Sequence, residues 1–472
     1  MTLALSDWAA ISPLLILLMA ALILLLIESV GNRPNHAFSV ALIAALAALV
    51  AAAAAPPSEN PLLIRWLNFD PPNRFFAIFF VGVGIASLLL ASAFFRRFQA
   101  TQGEYYFLLF SSIFGSILIG ASADFLTLFI GLETLSISLY ILCAYMKKWT
   151  PSHEASIKYF LMGSAAAAFF LYGVALVYGA VGTTQFAGLM ERYRGLVTLP
   201  DQALFLGGMA LITLGLAFKA AVVPFHLWAP DVYHGSPTPV AAFMAVGTKG
   251  AAFAALARLF LLVVPRFHPL WPSMVAWLAI FTLIYANVVA LRQTQMRRFF
   301  AYSGIAHAGF LLIALVVDSP EAFQALCFYL VVYASATLGS FAILARVDQK
   351  PEGPFFDDLR GLFYRAPLGS VGLTLFLLTL AGLPPTAGFF AKFYLLKLAF
   401  ASGYTGLVCV GLLTTIFSVF YYLRIVSLLF ATPIGETPLP RAWPAIVVGW
   451  GACAAIVALS VYPEPLLALF TP

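Results

Sequence analysis

The amino-acid sequence predicts an all-α protein that crosses a membrane about fourteen times. Of its 472 residues, 62% are hydrophobic and only 9% are charged, a balance outside the range of water-soluble domains. The apolar residues also recur in stretches of roughly twenty, the length that an α-helix needs to span the hydrocarbon core. A polytopic membrane protein is therefore expected, with no sizeable water-soluble domain.

Short polar breaks separate the apolar stretches from one end of the chain to the other. No Lys or Arg precedes Arg33, so the first stretch lacks the basic leader of a cleaved signal peptide and is expected to remain as a helix. The predicted membrane helices cover residues 9–29, 36–55, 74–95, 104–121, 125–146, 152–180, 202–228, 238–264, 271–291, 297–316, 321–345, 366–402, 404–430 and 442–470.

The basic residues between these helices predict the orientation of the chain. With the N-terminus outside, thirteen loop Lys and Arg residues face inward and five face outward, which agrees with the positive-inside rule and places both termini outside. The inward residues are Arg33, Arg96, Arg97, Lys147, Lys148, Arg292, Arg297, Arg298, Arg346, Lys350, Arg360, Arg365 and Arg441. The outward residues are Arg65, Arg74, Arg192, Arg194 and Arg266.

Helices four to eight and nine to thirteen are expected to form two repeats. Pro224 and Pro384 fall at similar distances into the two groups, each in the fourth helix of its group. Because five is an odd number of crossings, the second group enters the membrane in the opposite sense, as in the inverted repeats of transporters. The predicted segments are three N-terminal helices in 1–103, a first repeat in 104–265, a second in 266–430 and a last helix in 431–472.

Seven basic residues lie inside predicted helices, where a charge costs roughly 2.5 to 3.5 kcal/mol at the bilayer centre. Such residues are kept mainly for function or for pairing. They are Lys158, Lys219, Lys249, Arg258, Lys392, Lys397 and Arg424.

Lys219 is the most informative of the seven. Pro224 follows it by five residues, and a proline removes one backbone donor and clashes with the carbonyl four residues earlier. The helix should break beside the lysine, and the freed carbonyls require protein or water around them. Burial favours the neutral amine and a nearby carboxylate favours the ammonium, so a partner that moves could load and unload one proton. A static ion pair is the alternative.

Three further residues are expected to take part in the first repeat. Glu133, about eight residues into helix five, is the expected carboxylate partner of Lys219, although it could instead cap or pair structurally. Lys158 lies about two turns into helix six and could reach the interface along its alkyl chain. Lys249 lies near the middle of helix eight, too deep for that.

The second repeat carries a matching pattern. The stretch Gly382–Gly388, with two adjacent prolines, interrupts helix twelve, and Lys392 follows one turn later. Lys397 and Arg424 lie nearer helix ends and are expected to anchor at the interface, while the role of Arg258 is open.

The histidines and cysteines limit the cofactors that the chain could hold. Only His226 and His307 of the six histidines are expected within the membrane, each as a proton relay or as a core residue, and a dihaem cytochrome would need four. The four cysteines stand apart without metal-ligand spacing. The basic residues form no single patch, so nucleic-acid binding is not expected.

Three stretches resemble the antiporter-like subunits of respiratory complex I, the proton-translocating NADH:quinone oxidoreductase. They are KAAVVPFHLWAPDVYHGSPTPV from Lys219, MRRFFAYSGIAHAGF from Met296 and GLPPTAGFFAKF from Gly382. The resemblance is strongest from about Glu104 to Phe430. One branch of that family carries a lysine after the second break and another carries a glutamate, and Lys392 matches the first.

The resemblance implies a role for each matching residue. Glu133 would modulate Lys219, with Lys158 adjoining it. Lys249 and His307 would lie on a central polar axis. Lys392 would be the terminal proton site.

The resemblance also implies that the redox chemistry takes place elsewhere. NADH, flavin mononucleotide, iron–sulfur clusters and quinone would be bound by partner subunits, and this chain would hold no cofactor. Its partners would be other membrane-arm subunits, including neighbouring antiporter-like ones, in a bacterial inner membrane. The alternatives are a subunit of a multi-subunit sodium/proton antiporter, a subunit of a ferredoxin-driven membrane complex, or a structural anchor whose buried charges are static pairs.

Overall fold

The computed structural model describes residues 4–467 except 32–33, 59, 99, 101, 265–267, 318, 320, 349, 434–438 and 440. Within these residues, 13 helices are long and apolar enough to cross a membrane, and a further crossing is made by two shorter helices in sequence. No β-strand is formed in the described part of the chain. The prediction of an all-α polytopic protein is confirmed. Arg33 and Arg266, counted above as loop bases, lie outside the described residues, as does the predicted boundary between 265 and 266.

The first half of the chain supplies the helices up to the first break and the short helices after it. They are α1 (Leu5–Val30), α2 (Pro34–Ala54), α3 (Pro71–Arg97), α4 (Gly103–Ala121), α5 (Phe125–Cys143), α6 (Thr150–Val181), α7 (Leu189–Arg194), α8 (Leu199–Ala220), α9 (Trp228–Gly235) and α10 (Thr238–Phe243).

The second half continues without a change of helix type except at three short segments. It comprises a π-helix (Met244–Thr248), α11 (Lys249–Ala257), a second π-helix (Arg258–Val263), α12 (Trp271–Ala290), α13 (Met296–Val316), α14 (Glu321–Val347), a 3-10 helix (Phe356–Leu359), α15 (Leu362–Arg365), α16 (Pro367–Ala381), α17 (Ala387–Ala401), α18 (Thr405–Leu429), α19 (Trp443–Val461) and α20 (Glu464–Leu467).

The predicted break in the seventh crossing is present. Helix α8 ends at Ala220, and Ala221 takes a left-handed conformation with φ of 59°. The carbonyl of Phe218 accepts a 2.8 Å hydrogen bond from the indole N–H of Trp228, and the amide of Val223 donates to Thr282 Oγ1 at 3.2 Å. Side chains therefore satisfy backbone groups that the break releases, as a buried interruption requires.

The predicted break in the twelfth crossing is present as well. Helix α16 ends at Ala381, Gly382 follows with φ of 81°, and α17 begins at Ala387. A side chain at Gly382 would be strained in this conformation. The amide of Ala387 donates to Ser460 Oγ at 2.7 Å, so α19 supports the start of α17.

The eighth crossing differs from the regular helix that the sequence predicts. It runs from Thr238 to Val263 and contains both π-helical segments, one before and one after α11. This crossing and α13 are buried almost throughout and form the centre of the bundle. Each π-helical turn takes in one extra residue, a feature that often accompanies functional sites.

Two arginines form buried pairs that the sequence did not predict. Arg297, predicted as a loop base, is fully buried and bonds to Asp348 Oδ2 at 3.0 Å and to the carbonyls of His234 and Ser236 at 2.8 and 2.6 Å. These bonds fix the connection between α9 and α10 to the end of α14. Because these bonds replace the water that hydrates a charged guanidinium, Arg297 can be buried within the bundle instead of lying in an exposed loop.

The second buried arginine is Arg258, whose role the sequence left open and which forms an ion pair with Asp70. Both of its terminal nitrogens bond to the Asp70 carboxylate, at 2.8 and 2.9 Å, and its Nε bonds to the carbonyl of Gly120 at 2.9 Å. Burial disfavours the charged form of Asp70, but the hydrogen bonds from Arg258 hold the pKa of this carboxyl below its usual range. Since Asp70 also caps α3 through the amide of Asn73, one ion pair joins α3, α4 and the eighth crossing.

Candidate functional site

Lys219 lies in a polar contact between α8, α5 and α6. Its side chain is buried, and its ammonium nitrogen donates to Ser136 Oγ at 2.9 Å and to the hydroxyl of Tyr159 at 3.0 Å. Tyr159 stacks on Trp228 with ring centroids 4.6 Å apart. The break thus places the indole of Trp228 against Tyr159, which accepts a hydrogen bond from Lys219.

Glu133 approaches Lys219 without forming an ion pair with it in the described structure. Both residues line a cavity of about 20 Å³, together with Ser136 and Tyr140. A polar cavity of this size holds roughly one water molecule. The predicted partnership is therefore geometrically available through a water or a small movement of either side chain.

Lys158, expected to adjoin Glu133, forms its ion pairs with other carboxylates in the described structure. Its side chain is 43% exposed and pairs with Glu154 at 2.6 Å and with Asp231 at 2.9 Å. Asp231 also bonds to Arg298 at 2.6 Å. Because neighbouring residues point about 100° apart on an α-helix, the next residue, Tyr159, reaches the Lys219 cluster instead.

Lys249 begins α11 and is fully buried. Its nitrogen lies 3.4 Å from the hydroxyl of Tyr233. A Cβ atom added at Gly304 would lie 2.9 Å from that nitrogen and 2.8 Å from the hydroxyl of Tyr333. Gly304 on α13 therefore leaves the space in which the ammonium and this hydroxyl meet.

His307 lies one turn further along α13 and contacts two hydroxyl groups directly. Its Nδ1 is 2.7 Å from the hydroxyl of Tyr329, and its Nε2 is 3.5 Å from that of Tyr422. Tyr422 is in turn 2.5 Å from Ser303 Oγ. The imidazole can exchange a proton at each of its two ring nitrogens, so its surroundings suit a relay.

Lys392 ends this series of buried polar groups. Its nitrogen donates to the carbonyl of Ala381, the last residue of α16, at 2.8 Å, and lies 4.9 Å from the ring centroid of Phe310. The same Phe310 stacks on Tyr329, the partner of His307. A cation near the C-terminal carbonyls of a helix is stabilised by the helix dipole.

His226 is not joined to the buried lysines. It is 3% exposed and packs edge-on against Tyr285 of α12, with ring centroids 4.6 Å apart. No side-chain hydrogen bond links its ring nitrogens to Lys219 in the described structure. Of the two histidines, the structure brings only His307 to the lysine series.

Five tyrosines contact this series, and the sequence prediction missed all of them. Only Tyr329 and Tyr333 carry a usable signal, because their four-residue spacing places both on one face of α14. The others give no pattern, since tyrosine is common at membrane interfaces. The five are Tyr159, Tyr233, Tyr329, Tyr333 and Tyr422.

The described residues contain no cluster of three or more His, Cys, Asp or Glu suited to a metal ion. The four cysteines are unpaired, with Cys143 and Cys327 buried, Cys453 partly exposed and Cys409 exposed. The residues gathered around the buried lysines carry amine, carboxylate, imidazole and hydroxyl groups, all of which can bind and release protons.

Comparison with known proteins identifies the family. Residues 122–418 match the family model described as NADH:quinone oxidoreductase/Mrp antiporter, transmembrane. The NADH-quinone oxidoreductase subunit N of Protochlamydia amoebophila is 55% identical over 469 residues, covering 99% of this chain and 98% of that protein.

Two solved structures agree with this match. A chain of respiratory complex I from Thermus thermophilus is 34% identical, with a TM-score of 0.81 over 96% of this chain and 98% of that one. A chain of an archaeal membrane-bound sulfane sulfur reductase is 25% identical, with a TM-score of 0.87 over 98% of this chain and 96% of that one. The chain belongs to the NADH:quinone oxidoreductase/Mrp antiporter transmembrane family.

Proposed function

We propose that this chain is a proton-translocating membrane subunit of an NADH:quinone oxidoreductase, equivalent to the subunit N that its relatives are named for. The observation that carries the proposal is the series of buried proton-binding groups that runs between the two broken helices, from Glu133 and Lys219 through Lys249 and His307 to Lys392. A static anchor has no need of three buried lysines, each costly in a membrane.

The proposed route begins at the cavity shared by Glu133 and Lys219. Tyr159 and Ser136 hold the lysine nitrogen at hydrogen-bond distance and can orient it toward the carboxylate or away from it. Between Tyr159 and Tyr233 stands the ring of Trp228, which carries no acceptor. Transfer across this gap therefore requires water.

The second part of the route follows α13. Lys249 lies 3.4 Å from the hydroxyl of Tyr233. Both Lys249 and the hydroxyl of Tyr333 border the space at Gly304, and the ring of Tyr333 lies 5.0 Å from that of His307. His307 then leads by way of Tyr329 and Phe310 toward Lys392. We assign the relay role to His307 and assign none to His226.

Lys158 has a different role in this proposal. Its pairs with Glu154 and Asp231 are half exposed, so water reaches this ion-pair cluster at one end of the bundle. Asp231 lies in α9, directly after the first break. A change in this ion-pair cluster would act on the broken helix and hence on the position of Trp228.

The proposal includes two repeats, in residues 104–265 and 266–430, preceded by residues 1–103 and followed by 431–472. Support comes from the two breaks, since each has a buried lysine beside the C-terminal end of its leading helix, α8 or α16. The proposed setting is a bacterial inner membrane with both termini outside.

The driving force must come from partner subunits. Moving one charge against 100 mV costs about 2.3 kcal/mol, and electron transfer in those subunits would supply this energy. NADH, flavin mononucleotide, iron–sulfur clusters and quinone would be bound in those subunits. The neighbouring membrane-arm subunits would be other antiporter-like chains.

The experiment that tests the proposal is Lys219→Met in the assembled complex, with Lys148→Met as a matched control. Lys148 is an exposed lysine of the same half. NADH-driven proton pumping and quinone reduction should both fall at least tenfold in Lys219→Met, since general acid–base groups contribute roughly 10²-fold or more. Unchanged assembly with unchanged pumping would show that the lysine is structural and would overturn the proposal.

A second candidate function is favoured by the TM-score of 0.87 to the archaeal respiratory complex. In that case the same proton route would be driven by an electron donor other than NADH. If the chain were instead a subunit of an antiporter, it would need no redox partner. Affinity purification of the tagged chain from its native membrane distinguishes these cases by the presence and type of NADH-oxidising subunits.

A further inference from the structure

A long apolar groove runs along the side of the bundle between α3, α14 and α19. Its cavity has a volume of about 810 Å³ and extends along α3 from Pro71 to Leu89. The lining is apolar apart from Arg74 and Ser335. Grooves of this volume are in the range of ligand-binding sites.

A second cavity, of about 630 Å³, continues the groove along the same three helices. On α3 the lining passes from Leu89 to Ser92, and on α19 it passes from Val447 to Ala445. The two cavities together follow α3 from Pro71 to Arg97, roughly 40 Å at 1.5 Å per residue. That length matches a bilayer with its polar head-group regions, about 40 to 45 Å.

The second cavity is as basic as the first is apolar. Four arginines line it, and no carboxylate is among its lining residues in the described part of the chain; the four are Arg96, Arg97, Arg346 and Arg441. Trp443, which is 67% exposed, stands beside them. Tryptophan marks the head-group level of a membrane protein.

We propose that the groove binds an anionic phospholipid, with its phosphate among the four arginines and its acyl chains between α3, α14 and α19. The charge at one end identifies the occupant, because guanidinium groups bind phosphate oxygens in a forked geometry. An apolar helix of a neighbouring subunit would fit the apolar part of the groove but would bring no phosphate to its arginine-lined end. The proposal does not depend on the proton route.

Two glycines make the groove testable. A Cβ atom added at Gly451 meets nothing within 4 Å, so a large side chain there enters the groove without a clash in the fold. Gly449, on the same helix and equally open, does not line the groove. Gly451→p-benzoylphenylalanine therefore reports the occupant, and Gly449→p-benzoylphenylalanine serves as the control.

The complex is irradiated in its native membrane, and the adducts on this chain are identified by mass spectrometry. Position 451 should yield adducts of anionic phospholipid well above its share of the membrane, and position 449 should yield lipids in proportion to their abundance. A polypeptide adduct at 451, or the same lipid mixture at both positions, would overturn the proposal.

The head-group end is tested in the same experiment by Arg96→Gln combined with Arg441→Gln. The anionic enrichment at position 451 should fall by roughly an order of magnitude, because each basic residue near a membrane surface strengthens the attraction about fivefold. Lys147→Gln combined with Lys148→Gln removes the same charge from exposed loop positions and should leave the enrichment unchanged. Equal losses in both pairs would show that the enrichment reflects overall charge rather than a site.

Discussion

The two broken helices hold their lysines in similar places but with different partners. Lys219 belongs to the helix that leads into its break, whereas Lys392 follows its break and reaches back to the carbonyl of Ala381. Both ammonium groups therefore lie near the C-terminal end of the leading helix. Lys219 shares a cavity with the carboxylate of Glu133. No carboxylate of the described residues pairs with Lys392.

This difference separates two tasks that the proposed repeats could otherwise share. A lysine beside a mobile carboxylate can be switched between charged and neutral forms by a movement of that carboxylate. A lysine bound to a backbone carbonyl has a fixed partner, so its protonation follows the supply of protons and water. The first half is therefore suited to control and the second half to delivery.

The largest effect is expected for Lys392→Met, which removes the buried amine beside the second break. Quinone-linked proton pumping should fall at least tenfold, because methionine matches the length of the side chain but carries no proton. Lys397→Met is the control, since Lys397 is exposed on the same helix. Pumping that survives Lys392→Met but not Lys219→Met would confine the route to the first half.

A smaller effect is expected for Glu133→Gln, which tests the asymmetry directly. Loss of the carboxylate removes the charge that favours the ammonium of Lys219, and turnover should fall about threefold to tenfold with the complex intact. Proton-pumping assays in membrane vesicles measure the change. A loss as complete as that of Lys219→Met would mean that the carboxylate itself carries the proton.

The hydroxyl partners of Lys219 should matter less than its carboxylate. Tyr159→Phe and Ser136→Ala each remove one hydrogen bond, worth about 1 kcal/mol or a fivefold change in rate at most. Ser418→Ala is the matched change in the second half, where Ser418 lies 3.5 Å from the carbonyl of Ala381 and does not bond to the lysine. Turnover of Ser418→Ala should stay near that of the unmodified complex.

The smallest effect is expected for Asp231→Asn, which breaks the half-exposed pair with Lys158. Such pairs contribute about 0 to 1 kcal/mol and weaken with salt. Turnover should drop less than threefold, and less again at high ionic strength. A loss comparable to that of Glu133→Gln would show that Lys158 belongs to the central route after all.

Most of the fold could be predicted from hydrophobic length alone. The fourteen expected crossings agree with the observed helices, and the last differs because α19 ends at Val461 and is followed by the short α20. Residues 468–470, also predicted as helical, lie outside the described residues. The breaks were predictable because proline and glycine have strong local effects on the backbone.

The π-helical segments in the eighth crossing were not predictable. The first ends directly before Lys249 and the second begins at Arg258, and periodicity does not distinguish one extra residue within an apolar helix.

The site was predictable only at residues that are costly to bury in a membrane, namely the lysines. Buried lysines stand out against an apolar background, which is why Lys219, Lys249 and Lys392 were found. The partners of Lys158 were not predictable, because a sequence does not fix the rotation of a helix that is apolar on all sides. The burial of Arg297 was not predictable either, because its partner, Asp348, is distant in sequence.

The space at Gly304 has a consequence for genetics. Because a methyl group there would lie 2.9 Å from the nitrogen of Lys249 and 2.8 Å from the hydroxyl of Tyr333, Gly304→Ala should push both side-chain ends aside and lower turnover. A residue with no side-chain chemistry would then score as sensitive in a mutational screen. The proposed proton route would depend on empty volume as well as on charge.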